Sequence, residues 1–155
     1  MPKVLVSNNS ELLRHFTAPP FRHLDLEILV ARTAEEARAL FVQQEPSLVI
    51  LDLLEGEPAE SLDVARTIKH HNKATRVILV AGKRLSGDQM REISASGCDE
   101  LLIAPMTADE LHDVFRKVGD LNECHAPCYY APFRRFLLNR LLRPTRPAER
   151  HRTGR

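Results

Sequence analysis

Residues 46–53 have the sequence Pro46-Ser-Leu-Val-Ile-Leu-Asp52-Leu, in which four consecutive apolar residues lead to a single carboxylate. A continuous apolar run of this length is typical of a β-strand that is buried on both faces of a parallel sheet. Val77-Ile-Leu-Val80 has the same form, and shorter apolar runs occur at 4–6 and 101–103. The stretch therefore predicts a central strand of an α/β fold, with Asp52 at its carboxyl end.

The segment Leu24-Asp-Leu-Glu-Ile-Leu-Val30 differs from these runs, because apolar and polar residues alternate along its first half. This alternation predicts an edge strand at 26–30 with one wetter face. Five strands that alternate with helices over the first 120 residues predict a flavodoxin-like, doubly wound (βα)5 parallel sheet in the order 2-1-3-4-5. Any site should then lie between the ends of strands 1 and 3, at Ser7-Asn8-Asn9 and Leu51-Asp52.

Individual residues predict where the helices begin and end. Pro19-Pro20 is expected to end the first helix, Pro46 the second and Gly97 the fourth. Capping boxes, which pair a hydroxyl residue with an acidic or amide residue three positions later, predict the start of three helices. They lie at Thr33-x-x-Glu36, Ser86-x-x-Gln89 and Thr107-x-x-Glu110.

Charge divides the chain into two parts. The 155 residues carry 22 Lys and Arg against 21 Asp and Glu, a net charge of +1. Residues 121–155 hold eight arginines and two glutamates, a net charge of +6, which leaves 14 basic and 19 acidic groups, a net charge of −5, in residues 1–120. We therefore expect an acidic folded domain at 1–120 and a basic, Arg/Pro-rich tail at 121–155.

The composition excludes several classes of protein. Hydrophobic residues make up 43% of the chain and charged residues 28%, which is typical of a globular domain and not of a disordered one. No apolar run approaches the ~20 residues of a membrane span, and the apolar stretch after Met1 is too short for a secretory signal. Three cysteines are too few for a disulfide scaffold, so we expect a cytoplasmic protein.

The basic tail contains one amphipathic pattern. Residues 132–143 predict a short helix that begins at Pro132, with Phe and Leu gathered on one side and Arg on the other. Such a helix suits an acidic partner surface, an anionic membrane or nucleic acid, and packing on the chain's own domain is the plainer alternative. Cys124, His125 and Cys128 fall short of the four ligands of a structural zinc site, so no metal site is predicted.

Three segments, in this order and at this spacing, resemble one family. Lys3-Val-Leu-Val-Ser-Asn-Asn-Ser-Glu-Leu-Leu-Arg14 resembles the opening of bacterial response-regulator receiver (CheY-like) domains. The run 46–53 is similar to their third strand with its phospho-acceptor aspartate, which is Asp52 here. Gly97-Cys-Asp-Glu-Leu-Leu-Ile-Ala-Pro105 is similar to their fifth strand and the proline after it. The resemblance covers residues 3 to 119.

The resemblance implies phosphoryl transfer from a histidine kinase to Asp52 in a two-component, phosphorelay type of pathway. In the family, an acidic pair helps to hold Mg²⁺, and a hydroxyl residue, a lysine and an aromatic residue complete the switch. This chain departs from the family at each of these positions and keeps only the aspartate and the proline. The positions correspond to Asn8 and Asn9 for the acidic pair, Ala81 for the hydroxyl residue, Ala104 for the lysine and Leu101 for the aromatic residue, while Pro105 is retained.

These departures remove the charges on which the family's reaction depends. Asp52 alone supplies one negative charge where three carboxylates would act together, so Mg²⁺ binding is expected to be lost or weak. A phosphoryl group would then add roughly −2 charge that neither a metal nor the lysine neutralises. Lys83 and Arg84 follow strand 4 at the same edge of the sheet and are candidate substitute cations. Neutral Asn8 and Asn9 are candidates to hydrogen-bond Asp52 and so to hold the domain in one state.

We therefore predict a pseudo-receiver, a degenerate receiver domain kept for binding and without enzymatic activity or a cofactor. It would serve as a signalling adaptor through the face formed by helix 4, strand 5 and helix 5, and a homodimer is compatible with this interpretation. The candidate residues of that face are Met90, Arg91, Leu101, Met106, His112 and Arg116.

Two alternatives to the adaptor stay open. The first is an inefficient phospho-acceptor response regulator that uses Asp52. The second is a truncated receiver–effector protein whose basic tail binds nucleic acid or membrane. Phe133-Arg-Arg-Phe136 faintly resembles the arginine-rich entry to a PilZ domain, but the barrel that would follow it is missing from this sequence.

Overall fold

The computed structural model describes residues 2–54 and 57–118. The predicted tail helix at 132–143, the cysteines of the tail and the boundary expected at residue 120 lie outside the described residues. Within the described part of the chain, no helix is both long enough and apolar enough to span a membrane.

Strands and helices alternate along the described chain. The strands are β1 (Lys3–Ser7), β2 (Glu27–Ala31), β3 (Leu48–Asp52), β4 (Arg76–Ala81) and β5 (Glu100–Ile103). The helices are α1 (Ser10–His15), α2 (Ala34–Gln44), α3 (Pro58–His71), α4 (Gly87–Ala95) and α5 (Ala108–Lys117), and a 3₁₀ turn at Pro19–Phe21 lies between α1 and β2.

The five strands form one parallel sheet in the order β2-β1-β3-β4-β5, which confirms the predicted topology. All five residues of β3 are buried, as the continuous apolar run predicted. β2 lies at an edge, also as predicted, and Val30 near its end is 36% exposed. The strand itself runs one residue later than the predicted 26–30.

Each face of the sheet has its own apolar core. On one face Leu12 of α1 and Leu111 and Phe115 of α5 pack against the sheet. On the other face the buried residues include Phe41 of α2 and Ile68 of α3, together with Ile93 of α4. A sheet covered on both sides leaves the carboxyl ends of the strands as the open edge where loops can bring polar groups together.

The helix starts agree with the predicted caps. Ser86 and Thr107 form complete capping boxes, in which the hydroxyl accepts from the third backbone N–H and the Gln or Glu side chain accepts from the cap backbone. The Thr33 hydroxyl accepts from the backbone N–H of Glu36, whereas the Glu36 carboxylate accepts one residue earlier, from Arg32. Gly97 follows α4 with a φ of 79°, a left-handed conformation that suits glycine, as predicted.

The expected end of the first helix was wrong. α1 ends at His15 and not at Pro19-Pro20, and the two prolines instead begin the 3₁₀ turn. The turn buries Phe21, whose ring centroid lies 5.0 Å from that of Phe16. In a continuing α-helix these two side chains, five residues apart, would point about 140° away from each other and could not pack together.

Candidate functional site

Asp52 is the last residue of β3 and lies beside the end of β1. Its backbone N–H donates to the Ser7 hydroxyl at 3.1 Å, and its backbone carbonyl accepts from the Ser61 hydroxyl of α3 at 3.0 Å. Only 4% of Asp52 is exposed. Hydrogen bonds from β1 and α3 therefore fix the backbone of Asp52, and the fixed backbone sets the direction in which the side chain leaves the strand.

Both oxygens of the Asp52 carboxylate accept hydrogen bonds from neutral donors. Asn9 Nδ2 donates to Oδ2 at 2.7 Å, and the backbone N–H of Leu54 donates to Oδ1 at 2.7 Å. Within the described part of the chain, no cationic side chain forms an ion pair with Asp52. The negative charge is thus stabilised by two oriented dipoles and not by a counter-charge.

Asn9 connects Asp52 to the start of α1. Its backbone is extended, its side chain is 7% exposed, and its Oδ1 accepts from the backbone N–H of Leu12 at 3.0 Å, which makes it the N-cap of the helix. Turning the amide over would break both the cap and the bond to Asp52, so two partners fix its orientation. One buried side chain therefore joins the end of β3 to the first turn of α1.

Asn9 is the member of the predicted pocket that bonds the Asp52 carboxylate, whereas Asn8, Lys83 and Arg84 are exposed. The Asn8 side chain is exposed, and its backbone N–H donates to Ala31, so Asn9 alone of the asparagine pair bonds Asp52. Lys83 and Arg84 are exposed and form no ion pair with it within residues 2–54 and 57–118, so the structure does not place them as substitute cations.

Hydrocarbon fills the positions that correspond to the family's hydroxyl and lysine. Ala81 is buried at the end of β4, and the backbone N–H of Ala104 donates to the Ala81 carbonyl at 2.8 Å, just before a cis bond to Pro105. A Cβ built on Gly82 would lie 3.2 Å from Leu54 Cδ2, so the leucine lies against the loop after β4. Neither alanine can stabilise an added negative charge.

A cavity of about 340 Å³ lies between the first turns of α2 and α3, with Asp52 in its wall. Ser7, Thr33 and Ser61 contribute hydroxyls to its lining, and Arg32 contributes a cation. The sequence analysis missed Arg32, although its position directly after β2 places it at the same edge of the sheet as Asp52. It lines the cavity without forming an ion pair with the carboxylate.

Comparison with solved structures shows which known fold this is. The receiver domain of NtrX from Brucella abortus matches with 23% identity, 74% of this chain and 96% of that chain covered, and a TM-score of 0.61. Chemotaxis protein CheY4 from Vibrio cholerae matches with 19% identity, 76% and 98% coverage, and a TM-score of 0.62. The described chain has the receiver-domain fold.

The remaining comparisons limit what the receiver fold implies here. A longer NtrX structure matches with 23% identity and a TM-score of 0.61, and the match covers 75% of this chain but only 27% of that one. No protein-family model and no curated protein significantly matches the sequence. The shared property is therefore the fold, and the chemistry has to be argued from the residues of this chain.

The residues of this receiver fold do not fit Mg²⁺. Mg²⁺ prefers octahedral oxygen ligands and depends on carboxylates to offset its hydration. Asn9 instead directs an NH₂ group at Asp52 Oδ2, and its only oxygen already caps α1. Asp52 is the only carboxylate at the ends of β1 and β3. Glu57 and Glu60 also line the cavity, but within the described residues no three His, Cys, Asp or Glu side chains converge.

Cys98 is also unsuited to chemistry. Burial is the main reason that the pKa of its thiol is raised to about 11, with smaller contributions from neighbouring carboxylates. A thiol with this pKa stays protonated near neutral pH, whereas nucleophiles and metal ligands act as thiolates. Cys98 packs instead against the core beside α4.

The predicted face of α4, β5 and α5 is only partly formed by the predicted residues. Met90 and Leu101 are partly exposed, and Arg91 is exposed and pairs with Asp88 at 3.5 Å. Met106 is only 9% exposed and belongs to the core with α1 and α5, so its prediction as a surface residue was wrong. Ile103 of β5, which the analysis missed, is 40% exposed at this face.

His112 of α5 contacts the 3₁₀ turn. Its ring centroid lies 5.5 Å from that of Phe21, so this side of α5 faces the 3₁₀ turn. Arg116 lies one turn later on the same side. Burial is the main cause that raises the pKa of Glu100 in β5, and the positive charge of Lys117 opposes this shift. The assignment of His112 and Arg116 to the face of α4, β5 and α5 stays a prediction.

Proposed function

We propose that this chain is a pseudo-receiver that acts as a binding adaptor in a cytoplasmic two-component type of pathway, independently of phosphorylation and without enzymatic activity. The observation that carries the proposal is the 2.7 Å hydrogen bond from Asn9 Nδ2 to Asp52 Oδ2. The receiver fold supports the general role, and the exchanged pocket residues support the loss of phosphoryl transfer.

The bonded state of Asp52 opposes its use as an acceptor. A phosphodonor must reach one carboxylate oxygen, yet Asp52 is 4% exposed and each oxygen already accepts a 2.7 Å hydrogen bond. Releasing Oδ2 would leave the Asn9 amide unsatisfied in a buried position, which costs about 1–3 kcal/mol. Positioned charges carry most of the catalysis in phosphoryl transfer, and Asn9, Ala81 and Ala104 supply none.

The same contacts support a single fixed conformation. Asn9 joins β3 to α1, while Ser61 joins β3 to α3, so the elements around Asp52 are connected without a ligand. A domain held in this way presents its binding surfaces constantly. The face of α4, β5 and α5 remains the candidate surface for a protein partner, because Ile103 is exposed there beside the partly exposed Leu101 and Met90.

A Mg²⁺ titration followed by ¹⁵N NMR tests this proposal. We expect the backbone amides of Asn9, Asp52 and Leu54 to show no saturable shift as Mg²⁺ is raised through the millimolar range. An Asn8→Asp/Asn9→Asp variant is the matched control, because it supplies the two missing carboxylates and should bind the ion. Saturation of the unmodified chain below a few millimolar would contradict the proposal.

A further inference from the structure

An aromatic cluster joins three elements at one end of the α1/α5 layer. The Phe16 centroid lies 5.0 Å from that of Phe21 and 5.9 Å from that of Phe115, and Phe21 and Phe115 are 5.4 Å apart. Phe16 follows α1, Phe21 ends the 3₁₀ turn, and Phe115 belongs to α5. The backbone segments that carry these rings therefore lie close together at this end of the layer.

Three arginines lie close in sequence to the rings of this cluster. Arg14, Arg22 and Arg116 each lie within two residues of one of the rings, and all three are exposed. None of them forms an ion pair within the described part of the chain, whereas Arg38, Arg76 and Arg91 elsewhere do. Three exposed arginines that form no ion pair among the described residues, and that all lie close in sequence to one packed aromatic cluster, are notable where the net charge is −5 over residues 1–120.

We propose that this surface binds an acidic segment of a partner protein. We name it the arginine face and define it as Arg14, Arg22, His23, His112 and Arg116. Guanidinium groups suit carboxylates because their planar N–H groups can bind both oxygens at once. Leu24, which is 40% exposed and follows His23, offers an apolar contact beside the charges. The face thus combines the charged and apolar contacts by which amphipathic acidic helices are recognised.

Charge decides between possible occupants. The chain's own tail has a net charge of +6 and would be repelled by the arginine face. Nucleic acid presents an unbroken row of phosphates, and the exposed Asp25, Asp109 and Asp113 near the face would oppose it. A protein segment can space its carboxylates to match the arginines and avoid these aspartates. We therefore assign the face to a protein partner, and a second copy of this chain is distinguished by the experiment below.

The arginine face is separate from the face of α4, β5 and α5. His112 lies against Phe21 of the 3₁₀ turn, with ring centroids 5.5 Å apart, whereas the exposed Ile103 of the other face belongs to β5, at the opposite edge of the sheet from β2. An adaptor with two such faces could hold two proteins at once. This inference rests on exposure and charge, so it would survive even if Asp52 proved to accept a phosphoryl group.

Binding of a defined acidic peptide tests the arginine face. The probe is a synthetic amphipathic helical peptide of about 18 residues, with glutamates along one side and leucines beside them, and its glutamine counterpart is the uncharged control. The peptide is titrated into the full chain, and binding is followed by ¹⁵N NMR of the chain and by fluorescence of the peptide. We compare Arg22→Glu/Arg116→Glu with Arg66→Glu/Lys73→Glu, which makes the same charge change at exposed, unpaired positions elsewhere.

We expect shifts at Arg22, His23 and Arg116, and an affinity that falls at least about tenfold in the face variant but less than about twofold in the control variant. The affinity should weaken steeply with added salt. Equal losses in both variants, or shifts confined to the tail, would overturn the proposal. So would tighter binding of a DNA duplex at the same residues. Self-association of the unmodified chain that the face variant abolishes, seen by sedimentation, would assign the face to a second copy and also overturn it.

Discussion

A variant with Asn8→Asp, Asn9→Asp, Ala81→Thr and Ala104→Lys is expected to accept a phosphoryl group at Asp52 several orders of magnitude faster than the unmodified chain. The two aspartates remove the amide that bonds Oδ2 and supply ligands for Mg²⁺. The threonine and lysine supply a hydroxyl and a cation where the structure has methyl groups. The rate is measured by mass spectrometry after addition of a small phosphodonor and Mg²⁺.

Two further variants keep this result interpretable. Adding Asp52→Asn to the variant removes the acceptor carboxylate and should abolish the mass increase. Ala81 is only 1% exposed, so a version with Ala81→Ser introduces a smaller hydroxyl side chain in case threonine does not fit. If a folded variant bound Mg²⁺ but reacted no faster than the unmodified chain, the four exchanged residues would not be the reason that Asp52 fails to accept a phosphoryl group.

Asn9→Ala is expected to lower the free energy of unfolding by about 2–3 kcal/mol. The substitution removes the N-cap of α1, because Oδ1 no longer accepts from Leu12. It also leaves Asp52 Oδ2 buried without its donor. Both losses fall on one side chain, and α1 is only six residues long, so it has few other contacts with which to compensate. The measurement is the urea midpoint at constant slope.

Asn8→Ala is the matched control for this prediction. Asn8 is the same residue type one position earlier, but its side chain is exposed. We expect a change below about 0.5 kcal/mol. Equal losses of unfolding free energy in the two variants would contradict the prediction. They would show that the hydrogen bonds of the Asn9 side chain do not stabilise the contact between β3 and α1.

The fold could be predicted because its main determinants are local in the sequence. Residues 48–51 of β3 are apolar on both sides of the strand, which only a sheet covered on both faces can bury. Thr107 and Ser86 are capping residues whose partners lie three positions away. The end of α1 could not be predicted in this way, because it depends on the packing of Phe16 and Phe21 against Phe115 of α5, a contact distant in sequence.

Part of the candidate site could also be predicted from the sequence. The ends of β1 and β3 meet at Asn9 and Asp52 because topology places them side by side, so the bond between them could be anticipated. Leu54 and Ser61 also bond Asp52, but their directions depend on how the chain turns after β3. Met106 was predicted at the surface because it lies in the loop before α5, where no repeat of apolar residues indicates burial.

The pseudo-receiver proposal depends most directly on whether unmodified Asp52 accepts a phosphoryl group. The decisive measurement is the intact mass of the full chain after incubation with a small phosphodonor and Mg²⁺, with the Asp52→Asn chain treated in parallel. For a pseudo-receiver, we expect both chains to keep their unmodified mass over the time in which the variant with four substitutions reacts to completion. A phosphoryl adduct that forms stoichiometrically on the unmodified chain and is missing from Asp52→Asn would contradict the proposal.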